Sequence, residues 1–503
     1  MFDHDVSRFA HGRDALAPFR TRLLVAVAHV ALASVTAASV AAVATAQEGR
    51  PRNVLFILSD DQRHDQLSCA GHPIVETPHL DALAARGMRF RRAFVTTPIC
   101  AASRASILTS LYERTHRTTF RTKAMAAEHF ETSYPLVLHR AGYRTGFVGK
   151  FGVNAPVDLR KESFDVFVPI STNPYFKKQP DGTKRHTSEI IGDHAVAFLR
   201  EQDPKRPFCL SISFNAVHAE DGDKENHYPW PIAMDGRYED VTIPPPAMSD
   251  PAIYDAHPDF LKTSLNRQRF FWRWDTPEKY DRNMRAYYRM LSGMDRVIGR
   301  VLDALRARGL EDDTLVIFCG DNGYYMGQRG FAGKWSHYDE SLRVPLILAD
   351  PRAPESARGT VNDAFALNID IAATILDAAG VSVPERYQGR SLLEFVHGGS
   401  PKSWRHEFFC EHLMHYPPRK GTKDGGIPKW EGIRQERWSY ARYFEQEPVY
   451  EYLHDLQNDP QQLRNLALEP EFAETLRRLR ERCTERRDEL GGAWSLEKFP
   501  LQR

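Results

Sequence analysis

The sequence predicts an α/β fold, a doubly wound, mostly parallel sheet with helices on both faces, plus a smaller C-terminal α+β domain with an antiparallel sheet. Three observations carry that expectation. Short, wholly apolar runs end in polar pairs, as strands buried on both faces do; the first is Asn53-Val54-Leu55-Phe56-Ile57-Leu58-Ser59. Helical patterns alternate with these runs. After about residue 395 the pattern changes to alternating strands and one charged helix.

The elements follow in order. Thr77-Pro78 to Gly87 is a helix punctuated by a Thr cap, a Pro in the first position and a Gly stop. Strands are expected at 145–149, 208–215, 314–319 and 344–349, and helices at about 187–201, 277–308 and 368–379. Residues 220–275 are rich in Pro, His, Trp and Tyr and lack periodicity, which reads as a long insertion near the site. In the C-terminal part, 438–443 and 449–456 alternate as an antiparallel pair, and 471–490 is a charged amphipathic helix.

Length and charge narrow the function. A chain of 503 residues exceeds what one core usually takes, so two domains are expected, 47–395 and 396–503. The 67 basic and 66 acidic residues leave a net charge of +1, without the basic footprint of a nucleic-acid partner. An anionic substrate held by a few local cations stays compatible with that balance. At the N-terminus, Arg20-Thr21-Arg22 precedes an uncharged Ala/Val/Leu run that ends in Ala44-Thr45-Ala46. Residues 1–46 read as a secretory signal peptide, with a single membrane anchor as the competing reading. The mature chain is then expected to be exported, periplasmic or secreted, with no membrane span left after cleavage. The cysteines, Cys69, Cys100, Cys209, Cys319, Cys410 and Cys483, form no CxxC pair, which argues against a zinc site; Cys209 and Cys319 sit in strand runs as core residues.

Two strand ends carry the same chemistry. One is Ser59-Asp60-Asp61-Gln62, the other Cys319-Gly320-Asp321-Asn322-Gly323. In a parallel sheet both arrive at one edge, where three carboxylates and an amide suit a hard cation such as Ca²⁺ or Mg²⁺. Either pair alone reads as a solvated turn; two pairs ending two buried strands favour a metal. Cys100 opens a helix-forming segment, where the dipole and free N–H groups favour an anion, and Arg104 lies one turn on, placed to hold a group at position 100. A thiol is a poor ligand for a hard cation, so cysteine and oxygen site are mismatched unless the cysteine becomes an oxygen nucleophile.

These residues resemble the type I sulfatases of the alkaline-phosphatase-like superfamily. Cys100-Ala101-Ala102-Ser103-Arg104 is similar to the family's Cys-x-(Pro or Ala)-x-Arg motif, with Leu108-Thr109 following and Ser110 in place of the usual glycine. Further blocks follow the family order: Ser59-Asp60-Asp61-Gln62, Gly149-Lys150, His218, Asp321-Asn322-Gly323, and Gly333-Lys334 leading to Glu340-Ser341-Leu342-Arg343-Val344-Pro345. The match runs from about 52 to 395, and Tyr452-Leu453-His454-Asp455 resembles a C-terminal domain motif of the family.

The resemblance implies that Cys100 is oxidised to formylglycine by a formylglycine-generating enzyme. It implies a divalent cation, calcium or magnesium, on Asp60, Asp61, Asp321, Asn322 and position 100. An aldehyde hydrate would attack the sulfur of a sulfate ester and later expel sulfate. Lys150 and Lys334 would clamp the sulfate, and His218 with Lys334 would protonate the leaving oxygen. The substrate implied is a sulfated carbohydrate, a polysaccharide or glycosaminoglycan fragment. One departure stands out: Gly152 occupies the position of a histidine base found in many members, and His116 is a candidate replacement, or else a surface histidine. His337 is placed in sequence to line the site or to cap a turn; His227, Tyr228 and Trp230 either stack on a sugar or pack the insertion; His412, His415, Arg419 and Lys420 either reach the pocket rim or, the favoured reading, form a solvated face. Three rivals remain: a phosphodiester or phosphonate monoester hydrolase on the same scaffold, a non-catalytic sulfated-glycan-binding protein with unconverted Cys100, and, least supported, a thiol hydrolase.

Overall fold

In the computed structural model the described residues are 52–223, 225–418 and 425–502. The signal-peptide reading of 1–46, and Arg419 and Lys420, lie outside them. The strands longer than two residues are β1 (Asn53–Ser59), β2 (Met88–Phe90), β3 (Arg144–Gly149), β4 (Val166–Pro169), β5 (Phe176–Lys178), β6 (Lys184–His186), β7 (Phe208–Ser213), β8 (Thr314–Gly320), β9 (Leu346–Ala349) and β10 (Thr360–Asn362), followed by β11 (Glu407–His412), β12 (Trp430–Gln435), β13 (Trp438–Tyr443) and β14 (Tyr450–Asp455). The helices used below are α1 (Pro78–Arg86), α2 (Cys100–Thr109), α3 (Glu113–His116), α4 (Thr187–Arg200), α5 (Leu265–Arg273), α6 (Pro277–Ala307), α7 (Asp370–Ala378) and α8 (Ala473–Glu489).

The main sheet has eight strands in the order β10-β2-β9-β8-β1-β7-β3-β4. Its pairs are parallel except the two made by β9. The expected parallel sheet is therefore present, with β9 reversed. The reason is the connection: residues 321–345 hold only short elements and no crossover helix, so the chain returns from the edge it left.

β1 shows why the strand runs are uniformly apolar. Val54, Phe56 and Leu58 join one core with Ile107 and Leu108 of α2 and Ile375 of α7. Leu55 and Ile57 join the opposite core with Ile191 and Leu199 of α4 and Leu291 and Ile298 of α6. Both faces are covered, so no polar alternation survives. Cys209 and Cys319 lie in the first core, as expected, and all six cysteines are free thiols.

β11 to β14 form a four-stranded antiparallel sheet in chain order, and α8 buries Leu476, Leu479 and Cys483. The two sheets belong to one compact unit, residues 52–503. Buried Arg114 of α3 ties them: its Nε donates to Glu411 at 2.9 Å, and a terminal nitrogen donates to Glu431 at 2.6 Å. The Trp430 indole donates to the carbonyl of Trp335 at 2.8 Å. Among the described residues no helix is long and apolar enough to cross a membrane.

Buried neutral histidines stiffen this arrangement and make it acid-sensitive. Burial pushes His412 and His454 down to about 3. The unfolded chain takes up these protons near 6.5, so the stability is fully present above that value and drains away as pH falls below it. The unfolding free energy from urea titration should therefore drop between pH 7.5 and 5.5, and His454→Gln should shrink that drop by up to about 1.4 kcal/mol. An unchanged pH dependence in the variant would contradict the assignment.

Candidate active site

Four adjacent strands end together. Ser59 of β1 pairs with Gly320 of β8, Leu58 with Ser213 of β7, and Ser213 with Gly149 of β3. The next residues are Asp60-Asp61, Asp321-Asn322, the loop bearing His218, and Lys150, delivered to one edge by strand register alone. Asp60 and Asp321 are fully buried. Asp61 takes a left-handed backbone (φ 56°), and its N–H donates to Asp321 Oδ1 at 3.1 Å. Asn322 Nδ2 donates to Asp61 Oδ1 at 2.7 Å. A non-glycine residue held in that backbone region is strained, and the neighbouring carboxylate holds it there.

α2 adds the cysteine. Cys100 is its first residue, and Ile99 supplies no side-chain cap, so first-turn N–H groups face the same edge as the thiol. Arg104 lies one turn later, fully inside the protein. Its Nε donates to Asp321 Oδ2 at 2.8 Å, one terminal nitrogen donates to the Lys150 carbonyl at 2.5 Å and to Ser213 Oγ, and the other lies 3.4 Å from Asp60 Oδ2. Arg104 therefore braces two carboxylates and two strand ends. Ser110 ends α2 in the left-handed region (φ 58°) that the family's glycine would occupy; its hydroxyl donates to Ile369 O at 2.7 Å and accepts from Gly389 N at 3.0 Å.

The lysines complete the charge pattern. Lys150 pairs with Asp60 and Lys334 with Asp61. His218 Nε2 lies 3.6 Å from Asp61 Oδ2, while Nδ1 lies 2.6 Å from the Ala219 carbonyl. A carbonyl only accepts, so Nδ1 carries the proton and Nε2 faces the cluster. Burial favours neutral carboxyls, yet Lys150, His218, Arg104 and Lys334 together hold Asp60 well below the usual range. Asp321 goes the other way: burial, reinforced by the charge on Asp60, pushes it up to about 6. Burial also raises the Cys100 thiol, against the pull of Lys150 and Lys334. A protonated, buried thiol is a weak nucleophile, which disfavours direct thiol chemistry.

The residues fit a hard divalent cation. Asp60 Oδ1, Asp61 Oδ2 and Asn322 Oδ1 are buried without a hydrogen-bond partner among the described residues. One ligand atom each from Asp60, Cys100 and Asp321 lies within 4.8 Å of the others, as do atoms of Asp60, Asp61 and His218. Converging orphaned oxygens are what such a cation needs.

Two candidates go elsewhere. His116 is buried under α2, with Nε2 3.0 Å from Ser106 Oγ and Nδ1 accepting from Thr118 N at 3.1 Å; burial pushes it down to about 3. Both nitrogens are engaged away from the carboxylates. His337 is buried among Tyr338, Tyr443, Tyr452 and His454, with Nδ1 3.0 Å from Tyr443 OH. It docks the C-terminal sheet onto the loop after Lys334 instead of facing the cluster. His227 and Tyr228 pack the insertion, His227 Nε2 lying 3.2 Å from the Trp272 carbonyl. His412 is fully buried, contrary to a solvated face, because β11 points it inward. Gly152 has φ 69°, and a Cβ there would lie 3.0 Å from Arg104 Cδ and 3.9 Å from Lys150 Cε, so position 152 borders the cluster. Ser213 and Tyr175 escaped sequence reading. Ser213 sits in an alternating strand with nothing to distinguish it, and Tyr175, whose hydroxyl lies 2.6 Å from the carbonyls of Asn215 and His218, has no local motif.

Comparison with known proteins agrees with this geometry. The family model described as Sulfatase matches residues 52–381, and one described as N-sulphoglucosamine sulphohydrolase, C-terminal, matches 327–489. An N-acetylglucosamine-6-O-sulfatase of Bacteroides thetaiotaomicron is 26% identical over 495 residues, covering 86% of each chain. A solved structure of a protein in complex with its substrate D-glucosamine-2-N,6-O-disulfate superimposes with a TM-score of 0.73 at 23% identity, covering 88% of this chain and 98% of that one. A phosphonate monoester hydrolase from Silicibacter pomeroyi gives 0.74 at 23% identity, covering 87% and 95%. With the family model spanning every strand that delivers the buried carboxylates, the chain belongs to the sulfatase family, sulfuric ester hydrolases of the alkaline-phosphatase-like superfamily.

Proposed function

We propose that this sulfatase hydrolyses sulfate esters on a carbohydrate outside the cytoplasm, with Cys100 as the precursor of a formylglycine nucleophile. The observation that carries the reading is the place of Cys100, at the start of α2 and against the carboxylates of Asp60 and Asp321. The glucosamine-sulfate chemistry of the relatives supports the sugar, and the sequence of residues 1–46 supports export.

Asp60, Asp61, Asp321, Asn322 and position 100 would hold a calcium or magnesium ion. Formylglycine supplies an oxygen nucleophile in place of the thiol, and the cation supplies Lewis-acid charge beside it. The chain's own residues do the rest. Lys150 and Lys334 clamp the sulfate oxygens and offset the charge that shifts onto them. Arg104 keeps Asp60 and Asp321 in place from below. His218 presents Nε2 to the cluster and, when protonated there, hands that proton to the leaving oxygen, with Lys334 beside it.

The test is a matched pair of esters. Sulfate release from an aryl sulfate and from a sulfated N-acetylglucosamine oligosaccharide should exceed phosphonate release from the matching aryl phosphonate. Preference for the phosphonate would give the site to the rival hydrolase reading. Metal dependence provides a second check. Calcium should raise the melting temperature of the intact protein, and chelation should reverse the rise. Asp321→Asn should abolish both the calcium-dependent shift and turnover; a variant that keeps them would remove Asp321 from the ligand set.

A further inference from the structure

We propose that the cleft beside the β5–β6 hairpin binds a second anionic group of an extended sulfated oligosaccharide, through Lys178 and Lys184. This rests on the carbohydrate-sulfatase reading and narrows it: the substrate carries anionic groups on more than one sugar.

The hairpin has an unusual charge pattern. β5 and β6 are antiparallel, with Lys178 directly opposite Lys184 and Lys177 directly opposite Arg185. Like charges facing each other across strands destabilise a sheet. In the second pair each cation is drawn elsewhere: Arg185 pairs with Asp193 at 2.5 Å, and Lys177 Nζ donates to Ser171 Oγ at 2.9 Å and Asn173 O at 3.1 Å. Lys178 and Lys184 are exposed and have no hydrogen-bond or ion-pair partner among the described residues. An external anion bridging the two would turn their repulsion into paired, charge-assisted contacts.

The two lysines line a cleft of about 670 Å³ together with Phe176, Trp230 and three carboxylates, Glu220, Asp223 and Asp235. The Trp230 indole is fixed by its N–H to Asp235 at 2.7 Å and by the Arg289 guanidinium 4.7 Å from its ring centre. It offers a firm amphipathic wall for a sugar ring. Glu220 is tied to the entry of the hairpin, accepting from Tyr175 N at 3.0 Å; Asp223 accepts from the backbone N–H groups of Glu225 and Asn226 at 2.9 Å, and Asp235 accepts from Trp230. None of the three forms an ion pair with Lys178 or Lys184 among the described residues.

Buried Tyr175 links the hairpin to the loop that bears His218. Tyr175 immediately precedes β5, and its hydroxyl lies 2.6 Å from the carbonyl of His218. Glu220 lies two residues beyond His218 in the chain. On this proposal a glycan presenting one sulfate ester to Lys150 and Lys334 would extend past His218 toward the hairpin. A small monosulfated ester would never reach Lys178 or Lys184.

Titration calorimetry with persulfated maltotetraose and the intact protein tests this. The double variant Lys178→Gln, Lys184→Gln should bind roughly tenfold more weakly, with a flatter dependence on salt. The charge-keeping variant Lys178→Arg, Lys184→Arg should retain wild-type affinity. Affinity in the glutamine variant within twofold of wild type, or an arginine variant as weak as the glutamine one, would overturn the proposal. Sulfate release from an aryl sulfate by the unaltered protein reports on the catalytic reading separately, so the two readings fail independently.

Discussion

Everything at the carboxyl edge of the main sheet depends on burying three carboxylates, Asp60, Asp61 and Asp321, against three cations, Arg104, Lys150 and Lys334. Charges taken out of water at this depth are tolerable only when paired and hydrogen-bonded. The protein's own charges cancel, and the charge held on Asp60 helps to push Asp321 the other way. A divalent cation added to a balanced cluster leaves it net positive. That is the field a sulfate ester needs, and it would be created locally in a chain whose overall charge is only +1.

The scaffold serves this balance. Parallel register between β8, β1, β7 and β3 brings four strand ends together, so the charged residues need no long loops to meet. α2 crosses beneath and lets one arginine contact two carboxylates, a backbone carbonyl and a serine. The C-terminal sheet is fixed by Arg114 between Glu411 and Glu431, and by the His337 aromatic cluster just after Lys334. Positioning of Lys334 is thereby linked to packing of a second sheet.

Much of this was legible in the chain. Strands buried on both faces announce themselves as unbroken apolar runs, and acidic residues at two strand ends identify the edge. The cysteine-to-arginine spacing is local, so it survives translation into a helix. Other features were not legible because they depend on contacts between distant residues. His337 and His116 are polar residues near site motifs, yet one is claimed by Tyr443 and the other by Ser106. The reversed β9 reflects a connection lacking a crossover helix. The strands β5 and β6 are basic, very short and without β-branched residues, so their paired lysines appear only once register is known. Ser110 looked like a departure from the family; its hydroxyl bonds to Ile369 and Gly389 show how a serine holds a glycine's conformation.

The central claim is that the residue at position 100 acts as an aldehyde-derived oxygen and not as a thiol. The most direct measurement is the mass of the proteolytic peptide spanning Cys100, from protein produced together with a formylglycine-generating enzyme. The account predicts a peptide lighter than the thiol form by the difference between a CH₂SH group and an aldehyde. An unmodified thiol, under conditions that convert a control sulfatase, would contradict it and leave the fold as a sulfated-glycan-binding protein.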